Sequence, residues 1–274
     1  MTTPREKVDI RAVCIDIDGT LVGPDEVVSP RVSAALAKAR SRGIEIVIAT
    51  GRSKFSTMPI ARQIPPLGYG IVATGSVVIH LEHNTLVMRN VLTHDEALAA
   101  TKILWDAGLA PRIYEDAIHS ARILFHPDRP IPKDIASRHT PWPELCTRIP
   151  FEPTSVEAFG SQAQMRPLAE QLRRTLPPSM VVIESHRNHY WYLEICSLRA
   201  GKGEGLKAMA AHLGISPRNM MAIGDGFNDL DMIAEAGIGI AMGNALPEVQ
   251  AAADDVTATQ ADDGVAEALE KWAF

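Results

Sequence analysis

The stretch Arg11-Ala-Val-Cys-Ile-Asp16-Ile-Asp18-Gly19-Thr20-Leu21 sets four apolar residues directly before two carboxylates, a glycine and a hydroxyl. A short unbroken apolar run is the pattern of an interior strand of a parallel sheet, covered on both faces and so without alternating polarity. In open α/β sheets the reactive groups gather just beyond the carboxyl ends of such strands, where departing loops leave backbone amides and side chains free. Asp16 and Asp18 occupy that edge. Residues two apart on an extended backbone project to the same side, so one phosphate-sized ligand or one metal ion can meet both carboxyl groups. Gly19 then lets the chain turn sharply away.

Two other readings fit this string when it is taken alone. Asp-x-Asp-Gly also opens calcium loops, but those need further oxygen ligands and a glutamate at the twelfth loop position, between flanking helices. Position twelve from Asp16 is Val27, and the preceding residues are strand-like. The second is an ordinary turn rich in Asp and Gly. The rest of the chain weighs against both.

With 274 residues, 46% hydrophobic and 22% charged, the chain can bury a large core, and domains of ~100–200 residues imply two of them. A net charge of −6 argues against nucleic acid or an anionic membrane as the main partner, since both need a basic surface. Phosphorylated small molecules would need local positive charge instead. The start of the chain has no apolar signal core, and no run approaches the roughly 18 apolar residues of a membrane span, so the expected location is cytoplasmic. Oligomeric state cannot be read. Cys14, Cys146 and Cys196 are odd in number and unrelated in spacing, which supports neither a disulfide framework nor a zinc knuckle.

Ser29-Pro30 reads as a helix start, with helix formers up to the stop at Arg42-Gly43. A second apolar strand, Ile44 to Ala49, runs into Thr50-Gly51-Arg52, and a third, Tyr69 to Ala73, into Thr74-Gly75. Strand, helix and strand at this spacing mean right-handed parallel crossovers, with these strand ends along one edge of one sheet. A hairpin around Glu82-His-Asn-Thr85 leads out of this half. From about Thr93 the texture changes to an alternation of helices and short strands that ends with Met180–Glu184 and Tyr190–Ile195. Doubly wound texture then resumes, so the middle segment is inserted rather than appended. The second half carries its own polar cluster, Gly224-Asp225-Gly226-Phe227-Asn228-Asp229, again directly after an apolar strand. Asp225 and Asp229, four apart at a helix start, share a side; taken alone, this cluster also fits a loop with helix-capping acids.

Asp16-Ile-Asp18-Gly19-Thr20, Thr50, Lys202 and the 224–229 cluster resemble, in order and rough spacing, the haloacid dehalogenase superfamily of phosphohydrolases. The insert resembles the α/β cap of its Cof-type subfamily, as do Tyr192-Leu193-Glu194-Ile195 ahead of Gly201-Lys202-Gly203, Met242-Gly243-Asn244-Ala245 and Asp263-Gly264-Val265. One departure is Thr74-Gly75-Ser76, where many relatives carry asparagine before the glycine.

The resemblance implies an α/β fold: a doubly wound, Rossmann-like parallel-sheet core from 1–84 and 194–274, with an inserted α+β cap at 85–193 that sets substrate specificity. It makes Asp16 the nucleophile and Asp18 the acid and base; a carboxylate nucleophile splits hydrolysis into two steps, and reversibility requires the switch of proton roles. Thr50, Gly51, Lys202 and Asn228 would hold the substrate phosphate, with Arg52 as a further substrate contact. Mg²⁺ would take Asp16, Asp225 and the Asp18 backbone carbonyl, with Asp229 orienting them, since crowded carboxylates repel a dianionic phosphate unless a cation intervenes. The expected activity is magnesium-dependent hydrolysis of a small phosphorylated metabolite, a sugar phosphate or a cofactor-like phosphate. The same core also serves phosphotransferases and mutases, and a non-catalytic phosphate-binding module is a further alternative. In the insert, Arg112, Glu115, Glu184, Arg187 and His189 are candidates to meet the leaving group.

Overall fold

The structure is a computed structural model that describes residues 8–64, 67–115, 123–129, 139–187 and 190–274. Its first compact unit combines Met1–Arg89 with Gly201–Phe274, and its second is Asn90–Ala200.

In the first unit, β1 (Ala12–Ile15) is wholly buried and pairs in parallel with β2 (Glu45–Ala49) on one side and Met220–Gly224 on the other. The full order across the eight-stranded sheet is Asp255–Val256, Ile238–Ala241, Met220–Gly224, β1, β2, β3 (Tyr69–Val72), β4 (Val77–His80) and β5 (Leu86–Arg89). Only β4 runs against the others, pairing antiparallel with β3 on one side and β5 on the other. The parallel crossovers proceed in opposite directions from β1, and a single handedness then assigns their helices to opposite faces. Ser29 caps the first helix, α1 (Pro30–Ser41), by accepting from Val32 N–H, with Pro30 pre-set for the first turn. α1 packs against the last helix, Gly264–Trp272.

The second unit is a six-stranded sheet ordered Met180–Arg187, Tyr190–Ser197, Pro153–Gly160, Arg112–Glu115, Ile123–Phe125 and His139–Pro141. Its strands alternate in polarity, as a sheet with one covered face does. Ile113, Val156, Ala158, Leu193 and Ile195 join a core with Leu104, Met165 and Leu172 from the helices His94–Asp106 and Gln162–Thr175. The boundaries differ from those read in the sequence. Leu86–Arg89 pairs with β4 and so belongs to the first sheet, while Glu194 to Cys196 pair with both neighbours in the second. An apolar run reveals a strand but not which sheet edge it joins. No described helix is long and apolar enough to cross a membrane.

Candidate active site

Register brings the polar clusters to one edge. Ile15 pairs with Ile48 and with Ile223, so Asp16, Ala49-Thr50 and Gly224-Asp225 leave three adjacent strands at the same level. Asp16 N–H donates to Ile223 O at 3.0 Å, which carries the strand pairing up to the nucleophile candidate. The chain then coils tightly: the N–H groups of Leu21 and Val22 both return to Ile17 O at 3.0 Å. Gly19 has φ +85°, and a Cβ there would stand 2.4 Å from Asp225 Oδ2, so both conformation and space demand glycine. Thr20 Oγ1 donates to Asp225 Oδ1 at 3.3 Å, tying the first cluster to the last.

Lys202 opens the helix Lys202–Leu213, whose N-terminus is closed by Asp231 Oδ2 accepting from Gly203 N–H at 2.8 Å. Its side chain is 0% exposed, with Nζ donating to Asp16 Oδ1 and to Asp229 Oδ1, each at 2.6 Å. Asp229 uses its other oxygen to accept from the N–H groups of Asp225 at 3.0 Å and Gly226 at 2.9 Å. Asp229 thus orients the lysine and the Asp225 loop and has its oxygens committed to both.

Burial dominates the electrostatics, and the neighbouring carboxylates add to it. Burial pushes the Asp16 carboxyl up to about 8 against the pull of Lys202, and Asp229 and Asp225 push it the same way. Burial also raises Asp225 to about 6, with Asp229 adding to the rise. Burial opposes the Lys202 charge as well, but Asp16 and Asp229 outweigh it and hold the ammonium above its ordinary value. Oxygens of Asp16, Asp225 and Asp229 lie within 4.8 Å of one another. A site of hard carboxylate oxygens whose anionic forms are disfavoured fits a divalent cation that offsets that crowding, and an all-oxygen donor set suits Mg²⁺. Asp16 and Asp225 are the side chains that fit as ligands, because Asp229 already serves the protein.

The remaining candidates divide. Thr50 is buried, and its Oγ1 accepts from Arg52 N–H at 3.0 Å, which leaves the hydroxyl proton to donate elsewhere. Gly51 is exposed beside it, with its open side toward Thr74 Oγ1. Asn228 is exposed, its Oδ1 lying close to Gly226. Arg52, read from sequence as a substrate contact, is bound to the protein itself: Nε and one terminal nitrogen grip Asp18 Oδ2 at 2.8 Å and Oδ1 at 2.5 Å. Sequence reasoning gave no role to Asn244, whose Nδ2 donates to Gly19 O at 2.8 Å and whose Oδ1 accepts from Gln260 N–H at 2.8 Å. Its signal was the polar pair Gly243-Asn244 directly after an apolar strand, the same pattern that marked the other clusters.

A sequence model of the haloacid dehalogenase-like hydrolases matches residues 13–269, which spans every cluster described above. The chain belongs to that family. It is similar to the Bacillus subtilis 5-amino-6-(5-phospho-D-ribitylamino)uracil phosphatase, 30% identical over 99% of each chain. It is also similar to the Escherichia coli pyridoxal phosphate phosphatase, at 27% identity over 94% of this chain and 96% of that one. Among solved structures, a haloacid dehalogenase-like hydrolase from Bacteroides thetaiotaomicron superposes with a TM-score of 0.82 at 27% identity, covering 96% of this chain and 99% of the other. With the family model and phosphatases matched along nearly their whole length, this family member is an enzyme of the phosphatase class.

Of the insert candidates, Arg112 is buried with its guanidinium carbon 3.9 Å from the Phe159 ring centre, and Glu184 pairs with Arg173 at 2.8 Å. Glu115 is half-buried, His189 lies outside the described residues, and so does the side chain of Arg187.

Proposed function

We propose that the chain is a magnesium-dependent phosphatase that hydrolyses a small phosphorylated metabolite through an aspartyl-phosphate on Asp16. The observation that carries this reading is the convergence of Asp16, Lys202, Asp225 and Asp229 at one sheet edge. Asp16 attacks phosphorus, the bond to the leaving oxygen breaks, and Asp18 gives that oxygen a proton. Asp18 then takes a proton from the water that attacks the phosphoenzyme, which frees inorganic phosphate and restores Asp16. Lys202, Thr50 and the backbone amides around Gly51 hold the phosphoryl oxygens, since phosphoryl transfer asks mainly for placement and charge stabilisation. Asp16, Asp225 and the Asp18 carbonyl would hold Mg²⁺, which when bound offsets phosphate charge next to the attacking carboxylate.

The insert supplies the specificity in this reading. Strand alternation sets Arg112, Glu157 and Glu194, paired across neighbouring strands, on the face of its sheet opposite the apolar core. Phe159 and Tyr192 stack on that same face with ring centres 5.5 Å apart. Aromatic surface flanked by both charge signs suits a flat polar ring better than a plain sugar. Two relatives named for a uracil and a pyridoxal phosphate support the cofactor-like branch of the substrate class. The test is a panel of phosphorylated heterocycles, sugar phosphates and nucleotides with Mg²⁺, read by release of inorganic phosphate. Turnover of a heterocyclic ester above the sugars is expected, and transfer of the phosphoryl group only to a second substrate would overturn hydrolysis.

A further inference from the structure

The Arg52 guanidinium has a second carboxylate partner. The terminal nitrogen that holds Asp18 also lies 2.8 Å from Glu26 Oε1. The arginine side chain is only 6% exposed, whereas those of Asp18 and Glu26 are 48% and 51% exposed. Its backbone is pinned at both ends, N–H to Thr50 Oγ1 at 3.0 Å and carbonyl from Ala73 N–H at 2.8 Å. The guanidinium is thus a fixed post between two carboxylates.

Glu26 reaches that post from a costly backbone. Its φ is +56°, a left-handed conformation that glycine adopts freely and that side chains adopt at ~1–3 kcal/mol. Three hydrogen bonds impose it. Glu26 N–H donates to Gly23 O at 3.0 Å, Gln63 Nε2 donates to Glu26 O at 2.9 Å, and Gln63 Oε1 accepts from Val28 N–H at 3.0 Å. A glycine would suit this turn better, yet a glutamate stands there with its carboxylate on Arg52.

We infer that Arg52 is a positioning residue that fixes the Asp18 carboxylate for proton transfer, and that Glu26 is the counter-charge that keeps Arg52 in place. The inference rests on the phosphatase reading and adds to it, because Arg52 then acts through Asp18 instead of touching the phosphoryl group. A guanidinium fork bound through two nitrogens fixes the plane of a carboxylate, which a single ammonium does not. A second carboxylate on the same guanidinium competes with a dianionic phosphate for it. Lys202 remains the cation for the phosphoryl oxygens.

Phenyl phosphate and p-nitrophenyl phosphate carry the same phosphoryl group on leaving groups of very different basicity. Loss of a phosphate contact slows both esters equally, whereas a misplaced acid slows the phenyl ester more. For Arg52→Lys and Glu26→Gln, kcat/KM is expected to fall by about tenfold to a hundredfold on phenyl phosphate, within the range of general acid–base help, and by under about threefold on the nitrophenyl ester. Inhibition by inorganic phosphate should keep its constant. Glu26→Gly should show the same selective loss with an unchanged or higher melting temperature, which a merely structural glutamate would not. Equal losses on both esters, with phosphate inhibition weakened about tenfold, would overturn the inference. The pairing also has a readout that needs no turnover: the Arg52 Nε–H resonance in ¹⁵N-labelled protein, assigned through Arg52→Lys. Protection in the wild type and its loss in Asp18→Asn support the pair, and an unchanged resonance in Asp18→Asn refutes it. Failure of the wild type on all esters would instead sink the phosphatase reading.

Discussion

Lys202 Nζ stands 2.6 Å from Asp16 Oδ1, a buried contact that spans 186 positions of sequence and joins the start of a helix to the end of the central strand. It gives the proposed attacking group and the proposed phosphate-binding cation one shared geometry. Replacing the lysine by methionine keeps much of its volume but leaves Asp16 and Asp229 buried without their counter-charge. Breaking such a pair typically costs ~3–5 kcal/mol. Urea unfolding of Lys202→Met at pH 8 should show a loss of that order. The sign with pH follows from Asp16, whose folded value of about 8 lies above the ordinary 3.8. A carboxyl raised in the fold contributes stability that is present at low pH and is lost as pH rises toward that value. The deficit of the variant should therefore shrink as the pH is lowered from 8 toward 5. A deficit that grows on acidification would show that the pair carries little of the stability.

Magnesium binding should weaken on the acid side for a related reason. Burial raises the Asp225 carboxyl to about 6, so below that pH a cation must displace a proton to reach it. Calorimetric titration with Mg²⁺ should show affinity falling as the pH is lowered from about 8, where Asp16 takes a proton, and falling more steeply below 6, where Asp225 does, with proton release on binding. Activity should vanish with a chelator and return with Mg²⁺. Asp225→Asn should remove the steeper fall below pH 6 and weaken affinity by at least about tenfold. A variant with unchanged magnesium affinity would remove Asp225 from the ligand set.

Thr74 adopts φ +53° directly after Ala73 at +50°, two left-handed residues in succession at the turn between β3 and β4. A β-branched side chain bears that conformation badly, and asparagine bears it well. Thr74→Asn should raise stability by ~1 kcal/mol, or about 2–4 °C in melting temperature for a chain of this size. A lower melting temperature would mean that the contacts of the buried threonine hydroxyl outweigh the relief.

The legible part of this molecule is the part that repeats a rule. Asp16 and Asp225 each follow an unbroken apolar run, and interior parallel strands end in loops, so their meeting at one edge follows from periodicity and handedness alone. The Arg52 contacts obey no such rule. Whether that guanidinium meets a substrate or Asp18 depends on the Ala73 hydrogen bond and on the turn at Glu26, and neither leaves a pattern in the residues. The insert boundaries slipped for a similar reason. Leu86–Arg89 and Glu194 to Cys196 read as strands in either unit, and only pairing partners decide between sheets. Asn244 was visible as part of a family segment, but its link to Gly19 spans 225 positions and has no local signature.

Asp16 and Asp18 look equivalent as a pair of acids two residues apart, but their surroundings already separate them. Asp16 is buried against an ammonium, while Asp18 is half exposed and held by a guanidinium. Asp16→Asn removes the attacking oxygen, so no phosphoenzyme should form and turnover should fall by several orders of magnitude, as losses of essential nucleophiles do. Asp18→Asn retains the nucleophile and loses the group that protonates the leaving oxygen and activates water. With p-nitrophenyl phosphate, whose leaving group needs little protonation, the first step can proceed while the second slows by roughly 10²–10⁴-fold. Rapid quench of Asp18→Asn should then show a burst of up to one equivalent of nitrophenol, with the phosphoryl group retained on Asp16 by peptide mapping. Steady turnover without a burst, or label on any residue other than Asp16, would reverse these assignments.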